Sequence, residues 1–171
     1  SGEHDFTLLK VLDRCVTAMG ARALQRWLTR PLRDPAQLTA RYDAVAALHD
    51  DDGRATGFER LRDALKDIVD LERILARVAL RSARPRDLAG LRDALGRLPE
   101  LQSVLEGIDS PLLGQLAQEA GTHPPVHSLL TAAIVATPPA LLRDGGVIAP
   151  GFDADLDELR RISEHSDEAL L

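Results

Sequence analysis

The sequence predicts an all-α fold: a multi-helix core bundle with the root of a long protruding helix. Apolar residues make up 44% of the 171 residues, so the chain is long and apolar enough to bury a core. Aromatic residues make up only 3%, and a core of Leu, Ala, Val and Ile at helical spacing favours packed helices over a β-sheet. Capping residues and prolines also divide the chain into segments of helical length.

Two helices are predicted near the N-terminus. Thr17 is the N-cap of the first, which has apolar residues on one face and arginines on another, and Pro31 ends it. Asp34 followed by Pro35 is the start signal of the second. Residues 50–53 then form a turn or loop, because three aspartates and a glycine follow one another there.

The middle of the chain contains three more apolar segments at helical spacing. Residues 58–68 predict a third helix and residues 71–78 a fourth, but the separation at Asp70 is weak, so one kinked helix is the alternative. Pro85 fits the first turn of the next helix. Pro99 leaves two alternatives for that helix, which either continues or is interrupted there.

Two further helices and a connector follow. Ser110 before Pro111 repeats the cap and proline signal, and residues 126–134 form another helix that two prolines at 138 and 139 stop. Residues 140–150 form a compact connector. Within it, Gly145 and Gly146 are free to adopt positive φ.

The last helix is predicted to begin at Asp153. It has neither a glycine C-cap nor a terminating proline before Leu171, so we expect it to be the start of a longer helix. The sequence therefore predicts a helical core domain at residues 1–152 and the first part of a protruding helix at residues 153–171.

Charge and composition argue against several function classes. The formal net charge of −6 disfavours autonomous binding to a phosphate backbone. No segment has the ~20 apolar residues that a membrane span needs, so we expect a soluble chain. Cys15 is the only cysteine, which excludes an internal disulfide and fits a reducing compartment, so we expect a cytoplasmic protein. Cys15 and Trp27 are both interpreted as buried core residues.

Five arginines in one stretch are candidates for contacts with a neighbouring domain: Arg73, Arg77, Arg81, Arg84 and Arg86. The first three lie at steps of four and would form one row on a helix. That row could bind phosphate or a carboxylate of another domain, or it could be a solvated, partly ion-paired face. The last two flank a proline, and we expect them to face Asp70 and Asp87, which makes an interdomain salt-bridge cluster the intermediate interpretation.

No catalytic, cofactor-binding or metal-binding site is predicted. The turn at residues 143–146 lacks the Gly-x-x-x-x-Gly-Lys-Ser/Thr phosphate loop. His123 and His127 have the spacing of a helical metal pair, but Pro124 disturbs that geometry and no third ligand is near. The carboxylates at residues 153–158 lie in the first turns of a helix, where the helix dipole favours negative charge.

Nine short segments, spread along nearly the whole chain, are similar to segments of one known family and occur in the same order. They are Thr7–Leu9, Val11–Arg14, Thr17–Gly20, Arg26–Leu28, Asp70–Arg77, Ala83–Leu88, Arg143–Ile148, Gly151–Asp153 and Leu156–Leu159. Together they resemble the core, or lever, region of MutS, the DNA mismatch recognition ATPase. The resemblance identifies the protruding helix as the lever helix that carries the DNA clamp.

The resemblance implies a coupling domain without a catalytic site of its own. It would join the ATPase domain to the clamp, with the last helix as the rigid element and Gly145 and Gly146 as the hinge. The full-length parent would use ATP and Mg²⁺, form a homodimer, and have mismatched duplex DNA, MutL and the other MutS domains as partners. Two rival hypotheses are a free-standing helical domain that binds an acidic partner and a hydrolase that uses the carboxylates at residues 153–158.

Overall fold

A computed structural model describes residues 7–49 and 56–168, with side chains to residue 163. The predicted loop at residues 50–53 and the chain end at residues 169–171 lie outside the described residues. The all-α prediction is confirmed, because the described residues form nine α-helices and no β-strand. They are α1 (Leu8–Leu12), α2 (Ala18–Thr29), α3 (Pro35–His49), α4 (Gly57–Leu65), α5 (Leu71–Ala79), α6 (Pro85–Glu106), α7 (Pro111–Ala120), α8 (Pro124–Ala133) and α9 (Ala154–Glu168).

The predicted caps form local hydrogen bonds at the helix starts. The Thr17 hydroxyl accepts from the backbone N–H of Gly20 at 3.0 Å, and the Ser110 hydroxyl accepts from that of Leu113 at 3.4 Å. α3 begins at Pro35, as predicted. In each case the signal lies within three residues of the helix start, so the sequence alone is enough to find it.

The two alternatives in the middle of the chain are decided by the structure. Asp70 accepts from the backbone N–H of Arg73 at 3.3 Å and thereby caps α5, so α4 and α5 are separate helices. α6 continues through Pro99, although the missing proline N–H leaves the carbonyl of Leu95 without its helical donor. α8 ends at Ala133, before the two prolines predicted to stop it, because the chain there turns to pair with residue 148.

α6 is the central helix of the core. It packs against α4, α5, α7 and α8. Its residues contribute to three apolar clusters, which it shares with α3 and α7, with α5, and with α8 and the connector. Apart from glycine and proline, the buried apolar residues in the described part of the chain are all Ala, Ile, Leu or Val, so the prediction of an aliphatic core is confirmed.

Two residues that we interpreted as core residues lie at the surface. Trp27 is 52% exposed, and the guanidinium carbon of Arg41 lies 3.9 Å from its ring centroid, so a cation–π contact between α2 and α3 replaces core burial. Cys15 is exposed, because it lies in the turn before α2. It borders a largely apolar groove between α2 and α4. The pKa of its thiol is raised, chiefly because this groove partly removes it from water and secondly because the Asp13 carboxylate is near.

Candidate functional site

The predicted row of three arginines contains only two helical members. Arg73 and Arg77 lie on α5, but α5 ends at Ala79 and Arg81 has the left-handed φ of 53°. The backbone N–H of Ser82 donates to the Arg77 carbonyl at 2.8 Å, and that of Arg81 donates to the Val78 carbonyl at 3.0 Å. These two bonds form a Schellman motif, which turns the chain out of the helix at a position that glycine usually occupies. The prediction of a continuous row is therefore wrong.

Asp87 joins the end of α5 to the start of α6. Its carboxylate accepts from Arg77 at 2.6 Å and from the backbone N–H of Arg84 at 2.9 Å, and its side chain is only 14% exposed. Arg73 pairs with Asp70 at 3.4 Å. In the described part of the chain, no carboxylate lies within ion-pair distance of three exposed arginines: Arg81, Arg84 and Arg86. We call these three the arginine corner.

Asp70 does not face the arginine corner as we expected, because Arg22 of α2 binds it. Arg22 donates to both Asp70 oxygens at 2.8 and 2.6 Å, and to Glu72 at 2.9 and 2.6 Å. The hydrogen bonds from Arg22 lower the pKa of Asp70. The pKa of Arg22 is raised, mainly by its hydrogen bonds to Asp70 and to a lesser extent by those to Glu72. Sequence analysis missed this contact, since an arginine face on α2 and an acidic cap on α5 match in charge but lie 48 residues apart.

The connector before α9 is closed by a short antiparallel pairing. Ile134 pairs with Ile148, the N–H of Val135 donates to the Val147 carbonyl at 3.0 Å, and the N–H of Ala149 donates to the Ala133 carbonyl at 2.8 Å. Val147 is buried against α6 and α8. We call this pairing of residues 133–135 with residues 147–149 the connector bridge. It closes a loop that spans residues 136–146.

Gly145 and Gly146 lie at the exposed end of this loop, next to a short 3₁₀ helix at Leu142–Asp144. Their φ angles are +72° and +66°, as predicted, and a Cβ atom at either position would meet no other atom within 4 Å. Glycine is thus required for backbone conformation and not for space.

Two arginines that sequence analysis did not single out bind the connector bridge from opposite sides. Arg92 of α6 donates to the carbonyl oxygens of residues 134, 135 and 136 at 3.3, 3.0 and 3.0 Å. Arg160 of α9 donates to the Ile148 carbonyl at 2.9 Å and to Asp157 at 3.1 Å. Asp157 also accepts from the backbone N–H of Gly151 at 2.6 Å. No local motif marks these arginines as contacts of the bridge, because the groups of the bridge that they bind are backbone carbonyls.

Asp153, Asp157 and Glu158 form hydrogen bonds at the start of α9. Asp153 accepts from the backbone N–H of Leu156 at 3.0 Å and caps the helix, and Glu158 pairs with Arg161. His123 has a left-handed φ of 46°, and its imidazole contacts the Ala120 carbonyl at 2.9 Å. Within the described ranges, no three His, Cys, Asp or Glu side chains form a group that could hold a metal ion.

The described helices include none that is both long and apolar enough to cross a membrane. The profile of one protein family, MutS domain III, matches residues 1–170. The match therefore covers the arginine corner, the connector bridge and α9.

Proposed function

Because the chain belongs to the MutS domain III family, and is thus the core domain of a MutS-like mismatch repair protein, we propose that it couples an ATPase domain to a DNA clamp. The observation that carries the proposal is the junction at residues 133–160. There, the hydrogen-bonded connector bridge joins the packed core to α9, a helix with exposed apolar side chains. Coupling requires such an element, provided that it has two arrangements that both sites bias.

α9 is the proposed lever helix. Its apolar residues Leu159 and Ile162 are 64% and 54% exposed, so this helix does not bury its apolar side chains in the core. Exposed apolar side chains on a charged helix are typical of a surface that another helix or domain covers. We propose that the core ends at residue 152 and that the lever begins at residue 153.

The proposed hinge is Gly145 and Gly146. A change in the direction of α9 must be absorbed by a few residues with freedom in φ and ψ, and these two occupy a conformation that other residues adopt only with strain. A Cβ atom added at either glycine would meet no atom within 4 Å beyond its chain neighbours. The loop can therefore change its conformation without disturbing the packed clusters.

The arginine corner is the proposed contact with an acidic surface on another domain of the same protein. Its guanidinium groups are exposed, whereas Arg77 beside them is neutralised by Asp87. Arg81 supports this proposal further, since a strained residue kept where glycine would fit better indicates a role for its side chain. Arg73 and Arg77 would contribute by holding the two ends of α5.

The remaining expectations concern the full-length protein. We propose, from the family to which the chain belongs, that it binds ATP and Mg²⁺ in an ATPase domain, since the phosphate-loop pattern does not occur in the present sequence. We also propose mismatched duplex DNA, MutL and a second copy of the protein as partners, in the cytoplasm. The alternative function is that of a free-standing helical domain whose arginine corner binds an acidic protein. Such a domain would not couple nucleotide binding to DNA binding.

Replacing the two glycines tests the coupling proposal. In the full-length protein, Gly145→Val and Gly146→Val should reduce the stimulation of nucleotide exchange by mismatched DNA, while DNA binding and ATP turnover persist. The matched control is Gly114→Val in α7, where an added Cβ also meets no atom within 4 Å but the helical backbone needs no positive φ. Unchanged stimulation in the double glycine variant would contradict the hinge, and equal loss in the control would contradict its location.

A further inference from the structure

The connector bridge links the core to α9 through a continuous series of hydrogen bonds. Arg92 belongs to α6, the helix that contributes to all three apolar clusters, and its side chain is only 12% exposed. It binds the carbonyl groups of residues 134 and 135 on one side of the bridge and that of residue 136 next to it. Arg160 binds the opposite side from α9, through the Ile148 carbonyl.

The two sides of the bridge are themselves joined by backbone hydrogen bonds of 3.0 and 2.8 Å. A displacement of α9 must therefore break the Arg160 contact, separate the bridge, or detach the bridge from Arg92. Hydrogen bonds from a charged guanidinium are stronger and more directional than neutral ones, and the planar group offers several donors in a fixed geometry. Arg160 is held in place by Asp157, which also fixes Gly151 at the base of α9.

We propose that Arg92 and Arg160 are positioning residues that together hold α9 in one of two orientations relative to the core. We call the pair the arginine clasp. When the clasp is closed, the bridge transmits the direction of α9 to α6 as a rigid unit. When the Arg160 contact opens, the bridge separates, α9 turns, and the loop at residues 136–146 absorbs the change.

This inference deepens the proposed function and rests on it for the meaning of the motion, since α9 is the helix to which we assign transmission. Its test needs neither nucleotide nor DNA. The measurements on this chain can thus contradict the arginine clasp while the glycine substitutions still uncouple the full-length protein. Conversely, they can support the clasp while the glycine substitutions leave coupling unchanged.

The experiment measures the distance between α6 and α9 in the 171-residue chain. Spin labels are attached at Ser103→Cys on α6 and Ser163→Cys on α9, both exposed positions, in a Cys15→Ser background. Pulsed electron spin resonance then gives the distribution of distances. We expect one narrow distribution in the unmodified chain and loss of that narrow distribution in Arg160→Ala.

Matched controls separate positioning from a general loss of charge. Arg161→Ala removes the neighbouring guanidinium, whose ion pair in the described part of the chain is with Glu158 on the same helix. Arg97→Ala removes one from α6 that pairs with Asp67 at 3.2 Å. Both controls should keep the narrow distribution. A narrow distribution in Arg160→Ala, or a broad one in either control, would overturn the proposal.

Amide hydrogen exchange supplies a second readout that does not depend on labels. In Arg160→Ala, the N–H groups of Val135 and Ala149 should exchange faster, whereas those in the middle of α6 and α7 should be unchanged. Arg92→Lys, which keeps the charge but lacks the forked donor, should show the same local increase without loss of helicity. Unchanged exchange at the bridge in both variants would also overturn the proposal.

Discussion

Arg81→Gly should stabilise the protein, although it removes a charged residue and adds the most flexible one. The φ of 53° at Arg81 is a left-handed conformation that is about 1–2 kcal/mol less favourable for an L side chain than for glycine. Part of this gain is offset, since glycine loses more conformational freedom on folding, by about 0.5–1 kcal/mol. The side chain has no ion pair in the described part of the chain, and the two bonds of the Schellman motif are backbone bonds that glycine retains. The expected net stabilisation is about 0–1.5 kcal/mol, with a central value of about 0.75 kcal/mol.

Urea unfolding followed by far-ultraviolet circular dichroism measures this change, and the urea midpoint should rise. A matched control is Arg97→Gly in the middle of α6, where the same substitution should destabilise by about 1 kcal/mol because glycine is a poor helix former. A lower midpoint for Arg81→Gly would refute the reasoning, since it would mean that the side chain stabilises the corner. In the full-length protein, a more stable variant with weaker mismatch-dependent nucleotide exchange would support a functional contact for this arginine.

Three further predictions concern the core, the acid range and the thiol. Ile74→Ala should destabilise by about 2–5 kcal/mol, because Ile74 is only 5% exposed in the cluster shared by α5 and α6, whereas Leu75→Ala at a 53% exposed position should cost about 1 kcal/mol or less in urea unfolding. Asp70→Asn keeps a capping side chain but loses the charge, so the variant should be less stable than the unmodified chain. Because the pKa of Asp70 is lowered in the fold, this loss of stability should be complete above the ordinary pKa of 3.8 and should disappear as pH falls through the lowered pKa. The thiol of Cys15 should react with a maleimide with a midpoint above its ordinary pKa of 9.0, and Asp13→Asn should lower that midpoint, while an unchanged midpoint would exclude a contribution from this carboxylate.

The helices of this protein could be predicted largely from sequence because their signals are local. Thr17 and Ser110 accept from backbone groups three residues later, so the cap and the helix start fall within one short segment. Positive φ at Gly145 and Gly146 was equally predictable, since adjacent glycines in a connector favour it. The five-residue helix α1 was not predicted, because it is too short to show a helical period.

The contacts that organise the candidate site could not be predicted, because they join distant residues or use backbone acceptors. Arg22 lies 48 residues from Asp70, and Arg92 lies 42 residues from the first carbonyl that it binds. Nothing in one sequence selects these partners from other arginines and carboxylates. Trp27 illustrates the same limit: its apolar ring predicted burial, but a guanidinium from the next helix covers it at the surface.

The central claim is that the nucleotide state of the full-length protein changes the orientation of α9 relative to the core. The most direct test is the distance between labels at Ser103→Cys and Ser163→Cys in the full-length protein, measured with ADP, with ATP, and with mismatched DNA added. We predict two distinct distances whose populations change with nucleotide and with DNA, and restriction to one of them in Gly145→Val combined with Gly146→Val. The same single distance in every ligand state would contradict the claim, because α9 would then be a fixed part of the core.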